Sequence, residues 1–137
     1  MARIINISEA TSIALHGIIL VAKSKDMINV MQIAEITGAS KHHVAKVMYR
    51  LSKEGYISSM RGPNGGFLLK KSPADISLLN IFESIEGKIE RKRCPHNKDV
   101  CKFDQCIFKN VINEMTTKFY EFLETQTVES YLDENSD

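Results

Sequence analysis

The chain has 137 residues, of which 43% are apolar and 26% are charged, a composition typical of one globular domain, or of one domain with an extension. The apolar run at residues 13–22 includes His16 and is too short to cross a bilayer, so we expect a buried helix there. The net charge of +1 conceals a division, because residues 38–71 have a formal balance of +6 and residues 111–137 one of −6. We therefore expect an anionic partner for the first region and none for the second.

The N-terminus lacks a positively charged segment followed by a cleavage site, so the sequence predicts no export signal and a cytoplasmic location. A reducing compartment disfavours a disulfide framework. The odd number of cysteines, 3, points the same way.

Capping residues predict two N-terminal helices. Ser8 can cap a first helix that runs to about Ser24 and is apolar on most of its surface, so it is expected to be buried on several sides. Asn29, with Gln32 three residues later, begins a second, short helix, and Gly38 ends it because glycine accepts the left-handed C-cap geometry. The apolar positions of this second helix are Val30, Ile33, Ala34 and Ile36.

A third helix with two contrasting sides is predicted from Ser40, its cap, to Gly55, where it ends. At 100° per residue, the apolar side chains gather on one side as Val44, Val47, Met48 and Leu51. The opposite side carries His42, Lys46, Tyr49 and Lys53, flanked by His43 and Arg50. One side is suited to a core and the other to a negatively charged partner.

Two short strands, at residues 56–60 and 67–70, bracket a predicted turn at residues 61–66. Its Asn64–Gly65 pair is typical of tight hairpins with positive φ angles, and Pro63 fixes a further turn position. A helix–turn–helix followed by such a hairpin is a winged helix. Ser77 then caps a fourth helix, which ends at Gly87.

Residues 88–105 have weak periodicity and are predicted to be a loop. A long last helix follows, and a compact winged helix has little spare surface for its apolar stripe, so a partner subunit is expected to cover it. The stripe consists of Phe108, Val111, Ile112, Met115, Phe119 and Phe122.

The predicted fold is therefore mostly α: a winged helix-turn-helix with a β-hairpin wing and a long C-terminal dimerisation helix. We divide the chain into a DNA-binding domain at 1–87, a cysteine loop at 88–106, the dimerisation helix at 107–132 and an acidic tail at 133–137. The tail is expected to be frayed.

The basic side of the third helix and the wing predict binding to duplex DNA. Polar side chains at the N-terminal end of a recognition helix contact bases, and cations further along hold phosphates. The alternative is a solvated basic surface on a small helical domain; the turn glycine, the caps, the charge balance and the hairpin together favour DNA. The predicted DNA-binding residues are Ser40, Lys41, His42, His43, Lys46, Arg50, Arg61 and Asn64, with Arg61 placed for a minor groove.

The run from Leu51 to Phe67, LSKEGYISSMRGPNGGF, resembles the hallmark of the bacterial IscR/NsrR/CymR-type regulators. Residues 72–82, SPADISLLNIF, and the following Glu86–Gly87 are similar to the same family, and the resemblance extends from about Ile7 to Leu132. It implies a homodimer joined by the C-terminal helix, and a transcriptional regulator, commonly a repressor, rather than an enzyme. In some branches it implies an iron–sulfur centre held by three loop cysteines, whereas the CymR branch has no cluster.

The cysteines of this chain are spaced C-x6-C-x4-C, as Cys94, Cys101 and Cys106. The cluster-bearing relatives have about five residues in each gap, so the gaps are redistributed here. Thiolates are the usual ligands of iron–sulfur clusters, with two or four irons. The cations of residues 91–93 directly precede Cys94 and stabilise thiolates and a negatively charged cluster.

Three thiolates leave one ligand position open. Resemblance to relatives with a ligand on the first helix makes Ser12, His16 and Glu9 candidates, and His96 lies in the loop itself. The alternatives are that His16 is a hydrogen-bonded core histidine and that His96 is an exposed loop residue.

The cysteines have three alternatives to an iron–sulfur cluster. A thiol switch without a cluster comes second, and zinc comes third because the loop lacks a close pair such as C-x2-C. An enzyme with a reactive cysteine is less favoured, because no C-x-x-C or nucleophile-elbow motif is present. A cluster could sense redox state, nitric oxide, or the supply of iron or clusters.

Overall fold

A computed structural model describes residues 2–90 and 101–133 of the chain. This part is mostly helical and contains a two-stranded antiparallel sheet, so the predicted fold class is confirmed. Short 3-10 turns follow the sheet and the last helix, at Pro73–Asp75 and Val128–Tyr131. The main elements are α1 Glu9–Lys23, α2 Val30–Thr37, α3 Lys41–Lys53, β1 Ile57–Met60, β2 Gly66–Leu69, α4 Leu78–Glu86 and α5 Val111–Thr125.

The first four helices begin at the predicted caps. Ser8 Oγ accepts from the backbone N–H of Thr11 at 3.1 Å, and Ser40 Oγ accepts from that of His43 at 3.1 Å. At α2 and α4 the caps are reciprocal, since Asn29 pairs with Gln32 and Ser77 pairs with Asn80 through backbone and side chain. Such caps satisfy backbone donors that a helix leaves unpaired at its start.

The core of the domain lies between α1, α2, α3 and the wing. The apolar side of α3 is buried as predicted, together with residues from α1, α2, β1 and α4. Ile36 on α2 departs from the prediction, because 62% of its surface is exposed. Among the helices within 2–90 and 101–133, none is long and apolar enough to cross a membrane.

The wing is fastened to the loop that precedes α2. β1 and β2 pair from Ile57 with Leu69 to Met60 with Gly66, and the N–H of Phe67 donates to the carbonyl of Ile28 at 2.8 Å. Gly66 has a φ of +158°, and a Cβ there would lie 2.6 Å from the Ile28 carbonyl oxygen, so glycine is required for this approach.

The turn of the wing differs from the prediction. It closes between Gly62 and Gly65, whose N–H donates to the Gly62 carbonyl at 2.9 Å. Positive φ angles occur at Gly62 and Gly66, not at Asn64 and Gly65. Pro63 explains the difference, because a proline suits the first central position of an ordinary turn, which moves the left-handed residues to its flanks.

The last helix is shorter than the predicted range of 107–132. Lys109 and Asn110 have φ angles of +51° and +72°, so regular helix begins only at Val111. After Thr125 the chain turns back to the domain, where the N–H of Leu78 donates to the Gln126 carbonyl and that of Val128 to the Ile76 carbonyl, both at 2.9 Å. This pairing competes with helical hydrogen bonds and ends α5.

Candidate DNA interface and cysteine segment

The side of α3 opposite the core presents the polar side chains that the sequence predicts for DNA. Lys41, His42, Lys46 and Tyr49 are all exposed on this side, which we name the reading face together with Ala45 and Lys53. The core side of α3 is fully buried, since Leu51 and Met48 are 0% exposed. A helix packed on one side with exposed cations on the other is the form of element that enters a major groove.

His43, at the start of α3, points to α1. Its Nδ1 donates to Glu9 Oε1 at 3.0 Å, and the histidine is about one third exposed. The contact joins the N-terminal ends of α1 and α3. It also means that two predicted residues, His43 as a base reader and Glu9 as a metal ligand, bind each other in this structure.

Arg50, near the end of α3, points to α4. Its Nε donates to the backbone carbonyl of Ser84 at 2.8 Å and lies 3.7 Å from Glu54 Oε1. The hydroxyl of Ser84, which is buried, donates in turn to Glu54 Oε2. Arg50 is therefore part of the joint between α3 and α4, whereas Lys46 remains on the reading face.

The tip of the wing carries Arg61 and Asn64, and both are exposed. At the wing's base, Lys71 Nζ lies 4.7 Å from the ring centroid of Tyr56. Burial raises the pKa of Tyr56, and Glu54 and Glu83 raise it further. Tyr56 is therefore a neutral structural residue at the base of the wing, where Lys71 lies, and Arg61 lies at the tip.

The end of α4 is fastened to the start of α1. The hydroxyls of Ser8 and Thr11 donate to Glu86 Oε1 at 2.5 and 2.6 Å. The hydrogen bond from Ser8, followed by that from Thr11, lowers the pKa of Glu86. Glu86 is the last residue of α4, and the cysteine segment, residues 88–106, begins two residues after it.

Cys101 and Cys106 are free, half-buried thiols. Their neighbours Phe103, Ile107 and Phe108 are exposed. The predicted ligands Cys94 and His96 lie outside the described residues, as do the cations at 91–93. Within the part of the chain that the structure describes, no three His, Cys, Asp or Glu side chains lie close enough together to hold a metal ion.

The donor set nevertheless fits a soft metal, because thiols with partial access are the groups that iron–sulfur clusters use. His16, a predicted fourth ligand on α1, has one ring nitrogen held by the backbone. It is exposed, so it is not the core histidine considered above, and its Nδ1 donates to the Ser12 carbonyl at 2.7 Å. A metal-binding histidine usually holds one ring nitrogen in this way, which leaves Nε2 as the ligand. Ser12 lies next to it, with its Oγ 3.4 Å from the same Nδ1.

Two parts of the site are absent from the sequence-based prediction: the contact of Glu86 with Ser8 and Thr11, and that of Ser84 with Glu54. Each joins side chains at least 30 positions apart. Ser8 stood out only as a helix cap, and no local pattern identifies the carboxylate that it meets.

Both the sequence and the fold of this chain are similar to those of known proteins. The Rrf2 family model, described as "Iron-dependent Transcriptional regulator", matches residues 7–134. The transcriptional regulator NsrR of Bacillus subtilis is 30% identical over 131 residues, which cover 93% of this chain and 90% of that protein. The structure of CymR, the global cysteine regulator of B. subtilis, has a TM-score of 0.75 and 23% identity, with 98% of this chain and 100% of that chain covered. The structure of T. potens IscR has a TM-score of 0.69 and 23% identity, with 91% and 84% covered.

Proposed function

The chain belongs to the Rrf2 family of transcriptional regulators, and from that premise we propose that it is a homodimeric repressor whose affinity for operator DNA is switched by an iron–sulfur cluster. Family membership makes it a DNA-binding regulator rather than an enzyme. The cluster, the dimer and the residues that serve each are our proposal. The observation that carries it is that the cysteine segment begins two residues after Glu86, the end of α4 that binds the start of α1.

We assign DNA contact to the reading face and the wing tip. Lys41, His42 and Lys46 supply exposed donors and cations, and Arg61 and Asn64 extend the surface to the wing. Ser40 caps α3, so its hydroxyl binds the helix backbone, and its contribution to DNA binding would be to hold the N-terminus of α3 in place. His43 and Arg50 are engaged with Glu9 and with Ser84. They reach DNA only through their remaining nitrogen atoms, or after these contacts open.

We assign the dimer contact to the exposed apolar side of α5. Val111, Met115 and Phe122 follow one another at intervals of 4 and 7 residues, which keeps them on one side of a helix, and each is at least 40% exposed. A second copy of the same helix covers such a stripe through a two-fold axis. The other proposed boundaries are those predicted from the sequence. Val128 is the exception, because it lies within the predicted dimerisation helix and packs in the core of the winged helix.

We assign the cluster to Cys94, Cys101 and Cys106, with His16 as the best supported fourth ligand because of its held Nδ1. His96 and Ser12 remain alternatives, and Glu9 is the least favoured because it binds His43. The bound cluster would supply a centre that reacts with oxidants, with nitric oxide or with changes in iron supply. The protein residues would hold it with thiolates and transmit its presence to α3.

The contacts at the end of α4 support such transmission. Glu86 binds the start of α1, whose Glu9 binds the start of α3, and Ser84 binds Arg50 near the end of α3. A displacement of the cysteine segment would therefore be transmitted to both ends of α3 through side-chain contacts. In a dimer, a small rotation of each α3 changes the fit to half-sites spaced by about one helical turn, ~34 Å.

The decisive experiment is an absorption spectrum and an iron count on protein purified without oxygen and supplied with iron and sulfide. We expect a visible charge-transfer band in the wild type that is lost in Cys101→Ala and retained in the matched control Ser130→Ala, which removes an Oγ from an exposed residue far along the chain. Operator binding of the wild type should change when the band is bleached. A colourless protein, or a band that Cys101→Ala retains, would contradict the cluster.

A thiol switch is the second candidate. The structure of an oxidised form of Staphylococcus aureus CymR, which is 25% identical to this chain with a TM-score of 0.73, favours it. Cys101 and Cys106 are free thiols five positions apart. This candidate predicts a colourless protein whose DNA affinity falls with a peroxide and returns with a dithiol reductant. The anaerobic spectrum and the response of Cys106→Ala to peroxide together distinguish it from the cluster.

DNA binding by the reading face has a separate test. If Lys46 neutralises one phosphate, Lys46→Ala should reduce the slope of log affinity against log salt by roughly one unit. Lys25→Ala, a change of charge outside the reading face, should leave that slope unchanged. Equal slopes for wild type and Lys46→Ala would remove this residue from the interface.

A further inference from the structure

Tyr49 occupies the middle of the reading face with most of its ring in solvent. It is 65% exposed, although a side chain of this size is commonly covered in a folded domain. Tyr49 follows His42 by seven residues, which is about two helical turns, so both side chains lie on the same side of α3. An aromatic ring at this position would face the floor of a major groove that α3 enters.

The chemistry of α3 leaves adenine and cytosine without their usual polar readers. From Lys41 to Lys53 the helix contains no Asn, Gln, Asp or Glu, so it lacks the amides that read adenine and the carboxylates that accept from cytosine. Its lysines, histidines and arginine suit the acceptors of guanine. A thymine is distinguished in the major groove by its 5-methyl group, which is recognised by apolar contact.

The exposed carbon surface of the reading face belongs mainly to Tyr49. Ala45 is exposed too, but its single methyl is short, whereas the tyrosine ring extends well beyond the helix. Lys53 Nζ lies 5.9 Å from the ring centroid, so a cation accompanies the ring on its C-terminal side. If α3 enters a major groove, the ring would offer an apolar surface to the bases and Lys53 a positive charge beside it.

We propose that Tyr49 is a specificity-determining residue that packs its ring against the 5-methyl group of one thymine in each operator half-site. The inference rests on the proposed reading face of α3 and adds to it a contact that is apolar rather than electrostatic. It follows that part of the sequence preference does not depend on salt, in contrast to the phosphate contacts of Lys46.

The test uses the full chain and an operator selected from a random duplex pool. Each thymine of the selected site is replaced in turn by deoxyuridine, which removes only the methyl group. We expect one position per half-site at which wild-type affinity falls about fourfold, the factor for burying one methyl group. In Tyr49→Ala the same replacement should have no effect, whereas Tyr49→Phe should keep the fourfold loss because it keeps the ring.

The control is Lys46→Ala, which should weaken binding to all duplexes and retain the sensitivity to the methyl group. If Tyr49→Ala retains that sensitivity, or if Tyr49→Phe loses it, the proposed contact is wrong. If the wild type selects no sequence from the pool, the reading face itself fails. If it selects a sequence and no thymine responds to demethylation, the inference on Tyr49 alone is overturned.

Discussion

The winged helix and the region beyond Gly87 differ in how they treat their apolar residues. In the winged helix, side chains from α1, α2, α3, β1 and α4 fill a common core. In residues 101–133, only Leu123 and Val128 are buried, and the exposed apolar residues there are Phe103, Ile107, Phe108, Val111, Met115 and Phe122. The first region forms its core within one chain, although Ile36 and Tyr49 are exposed, whereas the second buries few apolar side chains and presents a surface that a second copy or a bound group would cover.

The difference separates two sources of stability. Burial of core side chains contributes to the folding of each chain, and in the proposed dimer burial of the α5 stripe would contribute to association between chains. Substitutions in the two regions should therefore change different measurements. Leu123 and Val128 are instructive because they lie in the second region of the sequence and pack against α4 and the core of the first.

The largest effect is expected for Leu51→Ala, because Leu51 is 0% exposed at the centre of the core. Loss of the transfer free energy and the residual cavity should lower the free energy of unfolding by about 2–5 kcal/mol, measured by urea denaturation at fixed protein concentration. The control Phe103→Ala, at an exposed site outside the α5 stripe, should change it by less than about 0.5 kcal/mol. If both variants lose a similar free energy of unfolding, the two regions do not differ in their contribution to folding.

A somewhat smaller effect is expected for Val128→Ala. Val128 is 0% exposed and packs in the core of the winged helix although it follows α5. Its truncation should lower the free energy of unfolding by about 2 kcal/mol. The neighbouring Glu129→Ala, at an exposed site, serves as the control. An unchanged unfolding midpoint for Val128→Ala would mean that the winged helix ends at α4.

Met115→Asp should affect association more than folding. A charge in the middle of the α5 stripe must be desolvated in the dimer, so we expect the dissociation constant of the dimer to rise at least tenfold, which is about 1.4 kcal/mol. Sedimentation over a range of concentrations measures this change, with Glu124→Ala, an exposed residue on another side of α5, as control. If the variant stays dimeric at the same concentrations, the dimer interface lies elsewhere on the chain.

The smallest effect concerns the joint at Glu86. Because the hydroxyls of Ser8 and Thr11 lower the pKa of Glu86 below its ordinary value of 4.5, the folded state favours the ionised carboxylate. Its stabilising contribution is complete above pH 4.5 and is lost as the pH falls through the lowered folded-state pKa. Glu86→Gln should therefore flatten the decline in stability below that pH. The measurement is the urea midpoint of the wild type and of Glu86→Gln from neutral pH to below pH 4. If the two midpoints fall in parallel as the pH is lowered, the contact of Glu86 with Ser8 and Thr11 does not stabilise the fold.

Local patterns were sufficient for most of the winged helix. Ser8, Asn29, Ser40 and Ser77 identified the starts of four helices because a cap acts through hydrogen bonds within three residues. The wing turn was predicted at the right place with the wrong φ angles, since the choice between Asn64 and its glycine neighbours depends on how Pro63 and the Ile28 carbonyl constrain the hairpin.

Neighbouring residues were enough to predict the order of the elements, the core side of α3 and its opposite cationic side, because periodicity and capping are local properties. The contacts of His43 with Glu9, of Arg50 with Ser84 and of Glu86 with α1 required the folded chain, as did the end of α5 where the chain returns to the domain. Each of these contacts joins groups at least 34 positions apart, and such pairs meet only when burial of the whole core brings their helices together.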